Sequence, residues 1–364
     1  MHITQLRLDH FRNLSEAMIS PSDSVNLIYG NNGAGKSSLL EAIHVLAFGR
    51  SFRTSRPNSI IQTDFDAATT FCRFKLDDTT SVLGANRSKE NGFVFNIDGK
   101  RTRRISDIAR ILPVQIFTPQ SSDLVIGAPM LRRRFIDWLV FHVEHDFYRD
   151  SNSYANALVQ RNALLKLCTV KGKVAFQEQD MWSPIMASHG EIVTRLRKKY
   201  LNALEGELKD LYREFRPDVK VELRYNQGWD SSVGLSDALA DKRDRDLFRG
   251  ATSVGPHKAD IHFMINGQPA AEFLSRGQLR VLVSLLLIAE VRVLRTQSNK
   301  SCIFLVDDIA AELDTATREY FLDTIVAEGT QVFVTAIEKH QLAFVEKYKN
   351  KKVFHVKHNH VHEE

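Results

Sequence analysis

The spacing of apolar positions changes repeatedly along the chain, and each change predicts a different element. Short apolar runs at Ile3 to Leu8 and Val25 to Tyr29 predict strands, whereas Leu39, Leu40, Ile43 and Leu46 recur at helical spacing and predict an amphipathic helix from Lys36. Phe93, Phe95 and Ile97 then alternate between the turn-forming pairs Asn91-Gly92 and Asp98-Gly99, the pattern of antiparallel hairpins. Near Gly127-Ala128-Pro129 the texture becomes helical and stays so to about Phe215. Leu196, Tyr200, Leu204, Leu208, Leu211 and Phe215 form one helical face, and Gly172 and Pro184 are the expected bends. Strand and helix alternate again from Val219, with buried-strand runs at Cys302 to Val306 and Gln331 to Thr335. The expected fold is therefore α/β with antiparallel β hairpins and an inserted helical arm. Its expected boundaries are 1–128 for an N-terminal lobe, 129–217 for the arm and 218–364 for a C-terminal lobe.

Composition narrows the class. The chain has 364 residues, 43% hydrophobic and 26% charged, which excludes disordered and disulfide-scaffold proteins. It is longer than one core usually grows. A net charge of +5 and a pI near 9.0 favour a polyanionic partner. Cys72, Cys168 and Cys302 lie far apart without a CxxC pair, as expected of reduced thiols in a cytoplasmic protein. No basic-then-apolar leader opens the sequence. The longest near-apolar stretch, Val281 to Val291, is too short to cross a bilayer, so no membrane association is expected.

Directly after the Val25 to Tyr29 run stands Gly30-Asn31-Asn32-Gly33-Ala34-Gly35-Lys36-Ser37, which satisfies GxxxxGK[ST] at every fixed position and opens a helix. Glycines let backbone N–H groups wrap a β-phosphate at a helix N-terminus, Lys36 reaches the β- and γ-oxygens, and Ser37 supplies a hydroxyl to Mg²⁺. Nucleotide binding, with ATP and Mg²⁺ as cofactors, is the expectation. Far downstream, Phe304-Leu305-Val306-Asp307-Asp308 is an apolar strand ending in two carboxylates. Asp307 is the expected Mg²⁺-side residue and Asp308 the expected base for an attacking water, one methylene shorter than a glutamate.

Leu274-Ser275-Arg276-Gly277-Gln278, followed by a strongly apolar helix, resembles the LSGGQ signature of ABC-type ATPases, and Ala311-Glu312-Leu313-Asp314 resembles their D-loop. The order of P-loop, signature, paired acids and D-loop is also theirs. That resemblance implies that Ser275, Gly277 and Gln278 meet the γ-phosphate held by a second subunit, in an ATP-dependent homodimer. It further implies a Q-loop after the Val114 to Phe117 run, where Gln120 would sense Mg²⁺ and γ-phosphate. The switch-histidine position is Ala336 here, which implies slow hydrolysis with Thr335 as a partial substitute.

Ser275 lies 239 residues beyond Lys36, far more than a transporter head needs. SMC-like heads carry a helical insertion at this place, but ~85 residues at 1.5 Å each allow only a short paired-helix arm. Leu8 to Leu14 (LDHFRNL), Gly49 to Arg53 (GRSFR), Arg132 to Asp137 (RRRFID) and Gly255 to Asp260 (GPHKAD) narrow the resemblance to the RecF family of bacterial recombination mediators, over essentially the whole length. The resemblance implies ATP-driven binding to duplex or gapped DNA, action with RecO and RecR in RecA loading and gap repair, fork maintenance and SOS induction. Residues 131–216 carry 15 Lys+Arg against 11 Asp+Glu. Lys100-Arg101-Thr102-Arg103-Arg104 and the set Arg195, Arg197, Lys198 and Lys199 are the candidate phosphate contacts, with no base-reading module beside them. The duplex, single-stranded and junction forms of DNA all remain open. Two other classes compete: an ABC transporter head, opposed by the spacing and the basic arm, and a P-loop kinase, which needs no signature or D-loop.

Overall fold

The first apolar runs pair as strands. His2–Phe11 (β1) and Leu14–Ile19 (β2) form an antiparallel hairpin, Val25–Tyr29 (β3) joins a different sheet, and Ala67–Leu76 (β4), Thr79–Ser88 (β5), Gly92–Ile97 (β6) and Lys100–Thr102 (β7) complete an antiparallel sheet in the order β2-β1-β4-β5-β6-β7. Asp98 and Gly99, with φ of 47° and 84°, make the two-residue turn between β6 and β7. The second sheet gathers β3, Val114–Phe117 (β8) and four late strands. With Val221–Asn226 (β9), Asp260–Ile265 (β10) and Gln268–Pro269 (β11) lying elsewhere, the late four are Ile303–Val306 (β12), Gln331–Ala336 (β13), Lys351–Lys357 (β14) and His360–Glu363 (β15). Its order is β15-β14-β3-β13-β12-β8, parallel throughout except for β15.

This computed structural model describes residues 1–76, 79–171, 176–177 and 179–364, so the bend expected at Gly172 lies outside the described residues. The chain divides into two compact units, Met1–Ser121 with Arg280–Glu364, and Ser122–Leu279. In the first, the helix Lys36–Phe48 (α1) shares one core with both sheets, through Leu6 and Leu8 of β1, Ile28 of β3 and Phe333 of β13. The helix is buried nearly all round, where the sequence predicts an amphipathic one. Its polar residues are satisfied inside: Glu41 is ion-paired to Arg12, and His44 is 2.8 Å from the Arg50 carbonyl, with burial pulling its pKa down to about 4. Cys72 and Cys302 are buried here, and burial raises both thiols.

The second unit holds the helical arm. Pro129–Val143, Phe147–Lys171 and Trp182–Phe215 are its long helices. The last, 34 residues at 1.5 Å rise, is about 50 Å long. Leu204, Leu208 and Leu211 are fully buried on its expected face. Pro184 lies in its first turn, where a missing N–H costs nothing, just after the non-helical Asp180 and Met181 break the helical block. Residues 218–279, grouped by the sequence with the C-terminal lobe, belong to this unit instead, with the antiparallel sheet β11-β10-β9. Ion pairs and a hydrogen bond tie them to the helices. Arg132 holds Asp260 through two bonds of 2.6 and 3.0 Å, Arg161 meets Asp246 at 2.8 Å with both side chains buried, and Arg197 donates to the Pro256 carbonyl. His257, for which the sequence suggests no role, has Nδ1 2.6 Å from the Tyr154 hydroxyl and is kept neutral by burial, its pKa near 4. Among the described residues no helix is long and apolar enough to cross a membrane.

Candidate functional site

The parallel sheet sets the site. β13 lies between β3 and β12, so the loops leaving the carboxyl ends of all three converge, the usual ligand position in an open α/β sheet. Gly30 begins the loop after β3 at φ 151°, and a Cβ there would overlap the Val356 carbonyl oxygen. Gly35 caps α1 at φ 117° without any side chain bonding the first helical amides, which leaves them for an anion. Lys36 Nζ, mostly buried, donates to the Gly30 and Asn31 carbonyl oxygens at 2.6 and 3.0 Å, and its pKa is lowered by burial against the opposing pull of Asp308 and Asp307. The loop thus holds its own lysine over the place a phosphate would occupy.

Opposite it, Asp307 Oδ1 accepts from the Ser37 hydroxyl and the Thr335 hydroxyl, each at 2.8 Å. Asp308 sits in the left-handed region, φ 52° and ψ 47°, with its backbone N–H donating to Thr335 Oγ1 at 2.8 Å. One fully buried hydroxyl therefore fixes both carboxylate residues. Burial and the neighbouring Asp307 raise the Asp308 pKa above the usual carboxylate range, with Lys36 opposing. Ser37, Asp307 and the cavity's other oxygens are hard donors, the chemistry that suits Mg²⁺.

These groups line a cavity of about 840 Å³. Asn32, Gly33, Gly35, Lys36, Ser37, Asp307, Asp308 and Thr335 are all in its wall. So are residues the sequence left without a role: Phe65, whose ring stacks on His10 at 3.7 Å, and Asn359, whose Oδ1 accepts from Asn13 at 2.7 Å. Asn359 comes from the β14–β15 turn, 326 residues after the P-loop glycine Gly33, and no local signal could mark it. Arg12 and Arg53 also reach the wall, both held by the buried Glu41.

Gln120 is not among the wall residues. It is exposed in the short turn Pro119–Ser122 that follows β8, the strand beside β12. Ser275, Gly277 and Gln278 lie in the other unit and are exposed. Ser275 and Gln278 cap their own helix, Arg276–Ser298: Ser275 N–H donates to Gln278 Oε1 at 2.9 Å and Gln278 N–H to Ser275 Oγ at 3.4 Å. Asp314, the last residue of the run that resembles a D-loop, accepts from Thr317 N–H at 3.0 Å and starts the next helix. Of the basic set on the arm, Arg197 is buried against Asp137 and is no free phosphate contact, while the exposed Lys199 pairs with Glu144.

A P-loop opening a helix on a mostly parallel sheet, beside a strand that ends in paired aspartates and with a helical unit inserted between them, defines a P-loop ATPase head of the ABC and SMC type. The family described as the RecF/RecN/SMC N terminal domain matches residues 2–362. The chain is 46% identical to the DNA replication and repair protein RecF of Pseudoalteromonas atlantica, over all of both chains, and 38% identical to that of Shewanella woodyi, over 98% and 96%. It belongs to the RecF family. A solved structure of the recombination mediator protein RecF with ATP in the RecFOR pathway superposes with a TM-score of 0.87 at 26% identity, covering 100% of this chain and 97% of that one. An SMC head bound to the C-terminal domain of ScpA from Pyrococcus furiosus, at 16% identity and a TM-score of 0.57, shares the fold.

Proposed function

We propose that this protein is an ATP-switched DNA-binding repair protein of the cytoplasm, in which ATP joins two heads and slow hydrolysis releases them. The observation that carries the reading is the cavity where Lys36, Ser37, Asp307 and Asp308 meet at the ends of β3 and β12. The free amides at the start of α1 and the Lys36 ammonium would take the β- and γ-phosphates. Ser37 and Asp307 would hold Mg²⁺, which supplies charge neutralisation at the phosphates. Asp308, its basicity increased by burial, would accept the proton of the attacking water. Thr335 positions it, and a methyl at Ala336 offers no imidazole, which supports slow turnover.

Exposure of Ser275, Gly277 and Gln278 supports their use in trans. Their helix N-terminus would meet the γ-phosphate bound by a partner head, a charge that ADP lacks. Gln120 would join as the sensor of that closed state. The relatives' names support work in DNA replication and repair, and the placing of the superposed RecF structure in the RecFOR pathway supports RecR and RecO as partners. The exposed strip Lys100, Arg101, Arg103 and Arg104 supports contact with DNA phosphates without reading bases.

Analytical ultracentrifugation with ATP, ADP and no nucleotide tests the switch. ATP alone is expected to give the dimer, Asp308→Asn to trap it and strengthen DNA binding, and Ser275→Arg to block it while the monomer still binds ATP. An oligomeric state identical in all three conditions, or a Ser275→Arg protein that dimerises normally, overturns the proposal.

A further inference from the structure

Away from the nucleotide cavity, the helical unit contains a second concave site. Glu191, Thr194, Arg195 and Lys198 recur three or four residues apart on the helix Trp182–Phe215 and so share a face. With the loop that carries Gln227 and Trp229 they line a cavity of about 340 Å³. That is at the small end of the ~300–1,000 Å³ usual for small-ligand sites.

The lining is not that of a solvated helix face. The half-buried Trp229 indole is pinned by its Nε1–H, which donates to the Val233 carbonyl at 3.2 Å. Lys198 Nζ, also fixed, donates to Gln227 Oε1 at 2.6 Å. Arg195 is exposed and has no ion pair among the described residues, in contrast to Arg197 and Lys199 on the same helix. The Thr194 hydroxyl is buried beneath this wall, beside the Tyr225 phenol, with the Arg197 guanidinium next to that phenol.

We propose that this cavity binds one nucleotide unit of an unpaired DNA strand, an inference that rests on the DNA-binding reading above. The indole supplies a π-face for a base, and Arg195 and Lys198 neutralise the adjoining phosphate. A base inside a duplex is stacked and paired and cannot enter. The aromatic wall favours a base over a bare carboxylate, which would use the cations and leave the indole idle. The protein would thereby recognise the single-stranded side of a gap through its arm.

The test is fluorescence anisotropy of the full-length protein, with ATP, on a labelled oligothymidine and on a blunt duplex of equal length. Trp229→Ala is expected to weaken single-strand binding by about fivefold or more, the loss of one stacked base. Trp229→Phe retains most of the affinity, exposed Arg195→Ala weakens it without touching the fold, and duplex affinity stays as in the wild type. Equal single-strand affinity across the variants overturns the inference, as do equal losses on both DNAs. A polyglutamate peptide that binds the wild type but not Trp229→Ala, with single-strand binding unmoved, also overturns it and assigns the cavity to an acidic protein partner. Wild-type protein that binds the duplex but not the single strand sinks this inference alone, whereas failure on every DNA sinks the proposed function with it.

Discussion

Replacing Thr335 with valine preserves the shape of the side chain and deletes one hydroxyl that has two partners. That hydroxyl donates to Asp307 Oδ1 at 2.8 Å and accepts from the Asp308 N–H at 2.8 Å, in a residue with no exposed surface. A hydrogen bond to a charged group contributes about 1.5–3 kcal/mol, and stranding a buried N–H costs about 1–3 kcal/mol. Asp307 keeps its bond from Ser37, so the two losses overlap and total about 3 kcal/mol. In a unit of roughly 200 residues each kcal/mol moves Tm by roughly 2–4 °C, which places the expected fall at about 6–12 °C. On the role proposed for Asp308, function suffers separately, because Asp308 loses the bond that keeps it at φ 52°. If about 1.4 kcal/mol of that positioning is felt in the barrier, turnover drops about tenfold. Differential scanning fluorimetry gives the first number, and steady-state phosphate release at saturating ATP gives the second. Thr335→Ser should restore most of both. A Thr335→Val protein that melts with the wild type and turns over ATP at its rate would refute the reasoning.

Lys36→Met keeps a side chain of similar length and removes the ammonium that bonds the Gly30 and Asn31 carbonyls, so ATP turnover should vanish while the far-ultraviolet dichroism stays unchanged; unchanged turnover would remove Lys36 from the site. Glu290, fully buried, accepts from the Gln115 amide and, among the described residues, meets no cation, so burial raises its pKa well above 4.5. The folded state then binds a proton that the unfolded state has released, and stability should fall as pH rises from the unfolded value through the folded one. Glu290→Gln should raise Tm at pH 8 and flatten its pH profile, measured by thermal melts from about pH 5 to 8; a variant no more stable than wild type at pH 8 contradicts the buried neutral carboxyl.

Much of the candidate site was legible because its residues are local in the chain. GxxxxGKS must be contiguous for one loop to wrap a phosphate, and Asp307-Asp308 must end a strand, so spacing and flanking hydrophobicity suffice to find them. The strands and helices of the first 120 residues follow from period and turn chemistry for the same reason. The C-terminal boundary of the arm was not legible, because residues 218–279 alternate like a lobe of the head but are held to the arm helices by Arg132–Asp260, Arg161–Asp246 and the Arg197 bond to Pro256, pairs separated by 59 to 128 residues.

The amino-acid sequence by itself determined the class of chemistry, the order of its motifs and the presence of a short helical insertion, since each is written in residues close together along the chain. Tertiary structure alone decided which charges are free. Arg195, Arg197, Lys198 and Lys199 look alike as a basic run, yet folding buries Arg197 against Asp137, pairs Lys199 with Glu144 and leaves Arg195 beside Trp229. It likewise made Thr335 the common support of Asp307 and Asp308 by placing β13 between β3 and β12, and brought Asn359 to the cavity wall. Burial and partnership depend on contacts distant in sequence, and no local pattern encodes them.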